Sequence, residues 1–360
     1  MRIAQIAPLT EAVPPKLYGG TERVVHWLTE ELVALGHEVT LYASGDSCTS
    51  ARLEAPWPRA LRLDSSIRDP NALHIMMLEH VRQQAHEFDM LHFHLDYYPF
   101  SLFARQPTPF LTTLHGRLDL PEHQPLFATF PTIPVISISN AQRRPVPHAG
   151  WVRTIHHGVP EQLLRPHPVK PSYLAFLGRI APEKGVDRAI HIAREVGIPL
   201  KMAAKVDRAD REYFDEKIKG LIDGREIEYI GEIADDEKSA FLSGAMALLV
   251  TIDWPEPFGL VMIEAMACGT PVIAFNRGSV PEIIEEGLTG FVVEDEQGAI
   301  GAAYRIQELS RERIRKRFEE RFTARRMAQD YLAAYRGLMN HEHPHLRLVV
   351  DGRPSLAAVD

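Results

Sequence analysis

Short β-rich apolar runs alternate with longer stretches of helical period along most of this chain, and that alternation limits the fold more than any other feature. Strands joined by helical crossovers lie parallel, because each crossover must return the chain to the edge where the previous strand began. In the first half the apolar runs fall at residues 3–7, 38–43, 90–94, 110–115, 135–139 and 152–156. A helix is expected over 22–35, where Val24, Val25, Leu28, Leu32 and Leu35 recur at helical spacing and Gly36 offers a stop.

Residues 158–172 contain Pro160, Pro166, Pro168 and Pro171, a composition that suits a linker better than a regular element. A second series of strands follows at 173–177, 200–204, 227–230, 247–251, 272–275 and 291–293. Each series reads as one Rossmann-like half, so the expected fold is α/β, with an acceptor domain at 1–158 and a donor domain at 159–325. A helix over 326–340 is expected to pack back on the first domain, and the tail 341–360, which lacks any clear period, to be partly disordered. At 360 residues the chain is long enough for two cores. Parallel sheets of this kind bind ligands beyond the carboxyl ends of their strands, so two facing each other enclose a deep cleft.

A net charge of -8 gives no electrostatic reason for a nucleic-acid partner. Cys48 and Cys268 stand far apart in unrelated contexts, which supports neither a disulfide framework nor a cysteine metal site and fits a reducing cytoplasm. The first residues do not resemble a secretory signal, and no run of eighteen apolar residues suggests a membrane span, although peripheral membrane contact stays open.

The segment 254–274, WPEPFGLVMIEAMACGTPVIA, carries the most chemistry. It reads as loop, helix, turn and strand, and Pro257 suits the first helical turn. The N–H groups of Phe258, Gly259 and Leu260 should then point out of the helix start, a setting that attracts anions. Glu256 lies just before that start, and Glu264 falls about 9 Å along the axis at ~1.5 Å per residue. Taken alone, two glutamates also read as solvated charges favoured by the helix dipole. The apolar neighbours Met262, Ile263, Ala265, Met266 and Ala267 argue for a buried role for Glu264.

Glu256 to Glu264 matches the E-x7-E motif of the retaining glycosyltransferase family four, the group 1 enzymes with a GT-B fold that include glycogen-synthase-like and sucrose-synthase-like members. Further stretches resemble that family in order: Gly19-Gly20-Thr21-Glu22, His115-Gly116, Ser137-Ile138-Ser139-Asn140, His156-His157-Gly158-Val159, the run from Gly178 to Gly185, and the run from Ala267 to Ala274. The resemblance spans roughly residues 1 to 340. Two places depart from it. The linker turn has His157 and Pro160 where asparagine and aspartate are common, and the loop at 277–282 has Ser279 where a second glycine is common.

The resemblance implies a nucleoside-diphosphate sugar as donor, UDP-glucose as the best guess, and an acceptor hydroxyl not readable from the chain. Arg179 and Lys184 would hold the diphosphate and offset charge on it as it leaves. Glu256 would hold sugar hydroxyls, Glu264 the ribose, and His115 the far side of the sugar. Gly19 and Gly20 would approach the phosphates with their backbone, together with Phe258, Gly259 and Leu260. Retention is likewise implied. Because no carboxylate is an obvious covalent nucleophile, same-face attack by the acceptor is favoured, the departing phosphate taking its proton. No D-x-D triplet occurs, and neither metal nor cofactor is expected. The paired histidines 92 and 94, 156 and 157, and those at 341, 343 and 345 lack ordinary ligand spacing with Cys or carboxylate.

Other functions share the β/α alternation. A nicotinamide-dependent oxidoreductase would show G-x-G-x-x-G directly after a strand, which is missing. A nucleotide-sugar epimerase, a phosphorylase and a non-catalytic nucleotide-sugar binder share the expected fold and separate from a transferase only by product analysis.

Overall fold

The computed structural model describes residues 1–16 and 19–340. The expectation for 341–360 therefore lies outside the described residues. Two parallel sheets organise the chain. The first holds β1 (Arg2–Ile6), β2 (Glu38–Ser44), β3 (Arg52–Trp57), β4 (Met90–Phe93), β5 (Phe110–Thr113), β6 (Val135–Ser137) and β7 (Trp151–Thr154), in the order 3-2-1-4-5-6-7. The second holds β8 (Tyr173–Arg179), β9 (Leu200–Lys205), β10 (Ile227–Gly231), β11 (Ala245–Val250), β12 (Val272–Phe275) and β13 (Gly290–Val293), in the order 10-9-8-11-12-13. All pairings within both are parallel.

Strands covered on both faces read as continuous apolar runs, which is why β4, β5 and β12 are buried from end to end. Strand order reverses between β1 and β4 and again between β8 and β11, and each reversal opens a crevice at the carboxyl edge. Among the elements that escaped the sequence reading, two stand out. The edge strand β3 is only half-buried, and the helix Pro70–Gln84 has few buried side chains, so neither shows a strong apolar period. The helix start was nonetheless encoded: Asp69 accepts from the N–H of Asn71 at 3.0 Å and of Ala72 at 3.3 Å, with Pro70 in the first turn.

The proline-rich stretch after residue 158 has no regular element. Val159 there pairs with Thr323 where the chain returns from the second sheet: the N–H of Val159 donates to Phe322 O at 2.9 Å, and that of Ala324 to Val159 O at 2.9 Å. Gly158 fits because a Cβ would collide with the Thr323 carbonyl. Helix Ala324–Asn340 then lies along helix Gly20–Ala34, burying Met327, Tyr331 and Tyr335. No described helix is long and apolar enough to cross a membrane.

Candidate active site

A cavity of about 440 Å³ lies between the carboxyl edges of the two sheets. Gly19, Gly20, His115, Arg179, Lys184, Glu256, Phe258, Gly259, Leu260 and Glu264 all line it. Topology explains this convergence: the first glycine loop follows β1, His115 follows β5, Lys184 follows β8, and the Glu256 loop follows β11.

On the C-terminal wall, the Lys184 ammonium donates to Glu256 Oε2 at 2.7 Å and sits 4.6 Å from the centre of the Trp254 ring. Trp254 Nε1 donates to the same oxygen at 3.0 Å. Gly185 is left-handed, at φ 68°, and a Cβ there would strike the Thr251 carbonyl, so only glycine lets the Lys184 turn lie against the end of β11. Arg179 is the last residue of β8 rather than a residue after it, and its guanidinium faces Glu183, Asp207 at 3.7 Å and Asp210 at 3.5 Å.

The helix after Glu256 begins later than its sequence suggests. It runs Leu260–Ala267, because Gly259 at φ 80° is left-handed and cannot continue a helix backwards. Pro257 therefore precedes the helix, and the N–H groups of Phe258 and Gly259 are not part of its first turn. Glu264 is the fifth helical residue, ~6 Å from the start rather than ~9 Å. The loop is held from below by residues 277–279: the N–H of Ser279 donates to Glu256 O at 2.9 Å and its hydroxyl donates to Phe258 O at 2.9 Å. A glycine at 279 would lack that second bond, so the departure from the family pattern adds a clamp. Phe258 itself is 2% exposed, which stabilises the fold by ~1.5–3 kcal/mol.

Glu264 is 3% exposed on a helix buried almost all round, so its charge requires a partner. Lys238 supplies it, donating to Glu264 Oε1 at 2.7 Å and lying 3.1 Å from Asp235. Asp235 in turn pairs with Arg23, which reaches across from the first domain. Sequence reasoning missed Lys238. The apolar neighbours argued for a buried role for Glu264, but nothing local pointed to the cation that partners it.

On the N-terminal wall, Gly19 packs so close to Pro15 that a Cβ would lie 2.9 Å from that ring, and a Cβ on Gly20 would come within 3.7 Å of Leu260 Cδ1. β5 ends at Thr113, so His115 does not end a strand but sits two residues beyond it, in a loop. Gln142 fixes that loop by donating to the carbonyls of Leu114 and Gly116, both at 2.8 Å. Its own helix start is capped by Ser139 of the Ser-Ile-Ser-Asn motif. The His115 ring stacks on His157, centroids 5.3 Å apart, and His157 meets Phe258 edge-on at 4.9 Å. The replaced asparagine of the linker turn thus becomes a bridge between the walls.

Burial holds His92, His94 and His157 well below the usual imidazole range and His115 down at about 3, so all four are neutral at physiological pH. Among the described residues no group of three or more His, Cys, Asp or Glu could hold a metal ion. A further link crosses the cleft: Glu282 accepts from the N–H of Asn140 at 2.8 Å and of Ala141 at 2.6 Å, with His156 at 3.4 Å. Burial pushes its carboxyl up, but those bonds prevail and hold it below the usual carboxylate range.

Comparison with known proteins agrees with this geometry. Residues 18–163 match the family profile described as Glycosyltransferase Family 4, and residues 165–325 match that of Glycosyl transferases group 1. Glycogen synthase of Mycobacterium tuberculosis (strain ATCC 25618 / H37Rv) is 25% identical over 95% of this chain and 97% of its own. Spore coat protein SA of Bacillus subtilis is 40% identical over 23% of this chain, a match spanning about a quarter (24%) of that relative's length. Sucrose-phosphate synthase from Thermosynechococcus elongatus superposes with a TM-score of 0.77 at 19% identity, covering 94% of this chain and 99% of that one. The Anabaena protein HepE, solved with UDP and glucose, superposes at 0.72 and 19% identity over 94% and 100%. The two domains have the GT-B fold, and the chain belongs to the group 1 glycosyl transferases of glycosyltransferase family 4.

Proposed function

We propose that the chain moves a hexose from a nucleoside-diphosphate sugar, UDP-glucose first among candidates, to an acceptor hydroxyl with retention of configuration and without a metal or other cofactor. The observation that carries this reading is the Lys184–Glu256 pair at the cavity wall, with Arg179 beside it and the Gly19-Gly20 loop and His115 opposite. Breaking the bond between the anomeric carbon and the diphosphate leaves negative charge on the phosphate and positive character on the sugar. Lys184 and Arg179 suit the first and Glu256 the second. Glu264 takes the ribose hydroxyls, and Lys238, bonded to its Oε1, aims that carboxylate.

An acceptor hydroxyl entering from the N-terminal side attacks the face the diphosphate leaves, and its proton passes to the departing phosphate oxygen. Domain closure, of which the Arg23–Asp235 and Glu282–Asn140 contacts are the bonds across the cleft, excludes water. HepE was solved with UDP and glucose, which supports the donor choice. Two free cysteines, one exposed and one buried, support a cytoplasmic setting.

The test is incubation with a panel of nucleotide sugars and hydroxyl acceptors in excess chelator, with released nucleotide and product anomer both read. Acceptor-dependent release of nucleoside diphosphate and a retained anomer are expected. Activity that returns only with magnesium or manganese defeats the metal-free reading. An inverted product, an isomerised donor without transfer, or cleavage driven by inorganic phosphate would each assign a different reaction.

A further inference from the structure

A chain of side-chain hydrogen bonds runs from helix Ala324–Asn340 through the first sheet to His115. Tyr331, Thr113, His92, Tyr335, Gln5 and His94 are its links, and every one is buried. Tyr331 Oη lies 2.9 Å from Thr113 Oγ1, which lies 2.7 Å from His92 Nε2. His92 Nδ1 is 2.7 Å from Tyr335 Oη. The Gln5 amide nitrogen donates to Tyr335 Oη at 3.1 Å, its carbonyl oxygen is 2.8 Å from His94 Nε2, and His94 Nδ1 is 2.9 Å from His115 Nε2. The β period places these groups together: His92 lies in β4, His94 follows two residues on, just past the strand's end, and Gln5 is the register partner of His92 on β1.

Gln5 gives the chain a direction, because it is the link with one donor end and one acceptor end fixed in place. Its amide nitrogen faces Tyr335 and, at 3.3 Å, His92 Nδ1. Its carbonyl oxygen faces His94 and can only accept, so the proton of His94 sits on Nε2. A neutral His94 then has a bare Nδ1, which accepts from His115 Nε2–H. A neutral His115 has one proton to give, and its Nδ1 is therefore bare. That Nδ1 is buried with no hydrogen-bond partner among the described residues, on a side chain that lines the cavity.

We propose that Gln5 and Tyr335 act as positioning residues that lock His115 in the Nε2–H tautomer and present its Nδ1 as an acceptor to a hydroxyl of the bound sugar. This rests on the reading that His115 faces the donor sugar. It narrows what the position takes: a bare ring nitrogen pairs with a hydroxyl and leaves a carboxylate or phosphate oxygen unpaired. It also gives the returning C-terminal helix a chemical task, since that helix supplies Tyr335.

The test uses the full chain labelled with nitrogen-15 histidine, in which long-range proton–nitrogen correlation reads the protonated ring nitrogen, His115 being assigned through His115→Gln. The wild type should show a single Nε2–H form of His115. Gln5→Leu should add the Nδ1–H form and lower kcat about 10-fold, the scale on which outer partners that orient an imidazole act, with affinity for the nucleoside diphosphate unchanged. Tyr335→Phe, which removes one oxygen, is read in the same way and carries the test if Gln5→Leu does not fold. An Nδ1–H or mixed wild type, or variants that keep a pure Nε2–H His115, overturns the proposal. A chain with the expected tautomers but no transfer activity on any nucleotide sugar leaves the tautomer control standing and removes the proposed reaction.

Discussion

The two walls of the cleft use opposite electrostatics. The C-terminal wall is built from permanent charges held in pairs, Lys184 with Glu256 and Lys238 with Glu264. The N-terminal wall presents glycine backbone and neutral imidazoles, with His115 stacked on His157. A charge left alone in a closed cleft is costly, so the first wall holds its cations against carboxylates. The second wall brings shape and hydrogen-bonding direction. Under the proposed reaction, this difference gives charge stabilisation to one domain and orientation to the other.

The strongest way to break this contrast is Lys184→Ala. If the charged wall offsets negative charge on the leaving group, kcat should fall on the order of 10³, about 4 kcal/mol, with a smaller change in donor affinity. Steady-state kinetics that show only a raised KM would make Lys184 a binding group. His115→Ala probes the neutral wall and should cost about 2 to 3 kcal/mol in turnover while leaving nucleoside-diphosphate affinity intact. Combined with Glu256→Ala it should lose less than the two single losses multiplied, because both act on one closed transition state. Clean multiplication would separate the walls functionally.

Glu264→Gln sharpens the comparison within the charged wall. Calorimetry with the free diphosphate should show about tenfold weaker binding, about 1.5 kcal/mol, as a charge-assisted bond becomes a neutral one. Unchanged affinity would remove Glu264 from the ribose.

The smallest effect is a pH dependence of stability. The imidazoles of His92, His94, His115 and His157 have folded-state values below the unfolded ~6.5, so the unfolded chain binds more protons and stability is lost as pH falls below ~6.5. Glu282, also depressed when folded, adds a loss of the same sign at lower pH, below its ordinary carboxylate value. Melting temperature should decline from pH 7 to pH 5, and a level profile would show that the histidine wall is charged in the folded state.

How much of this was legible in advance varied with the range of the interaction. The strand run at 272–275 was readable because buried parallel strands are continuously apolar. The glycine loop, the two glutamates and the cation pair were picked out through the resemblance to the family, and all of them line the cavity. The start of the Glu264 helix was misplaced because Pro257 carries a first-turn signal that a left-handed Gly259 overrides, and φ is set by the loop that residues 277–279 clamp. Gln142, which holds the His115 loop, gave no signal, since its partners are carbonyls twenty-six and twenty-eight residues away.

The sequence by itself determined what is periodic or local: two parallel α/β series, the linker, and the residue types that line the cleft. It also pointed to a buried role for the glutamate set among Met262, Ile263, Ala265 and Met266, without naming the cation that partners it. Only the tertiary structure decided that the cation is Lys238, that Arg23 and Glu282 tie the domains together, and that a helix from the far end of the chain supplies Tyr331 and Tyr335 to the histidines behind His115. The reason is physical. Backbone period and glycine conformation depend on neighbours along the chain, whereas the partner of a buried charge or imidazole depends on which distant segments the packing brings within about 3 Å.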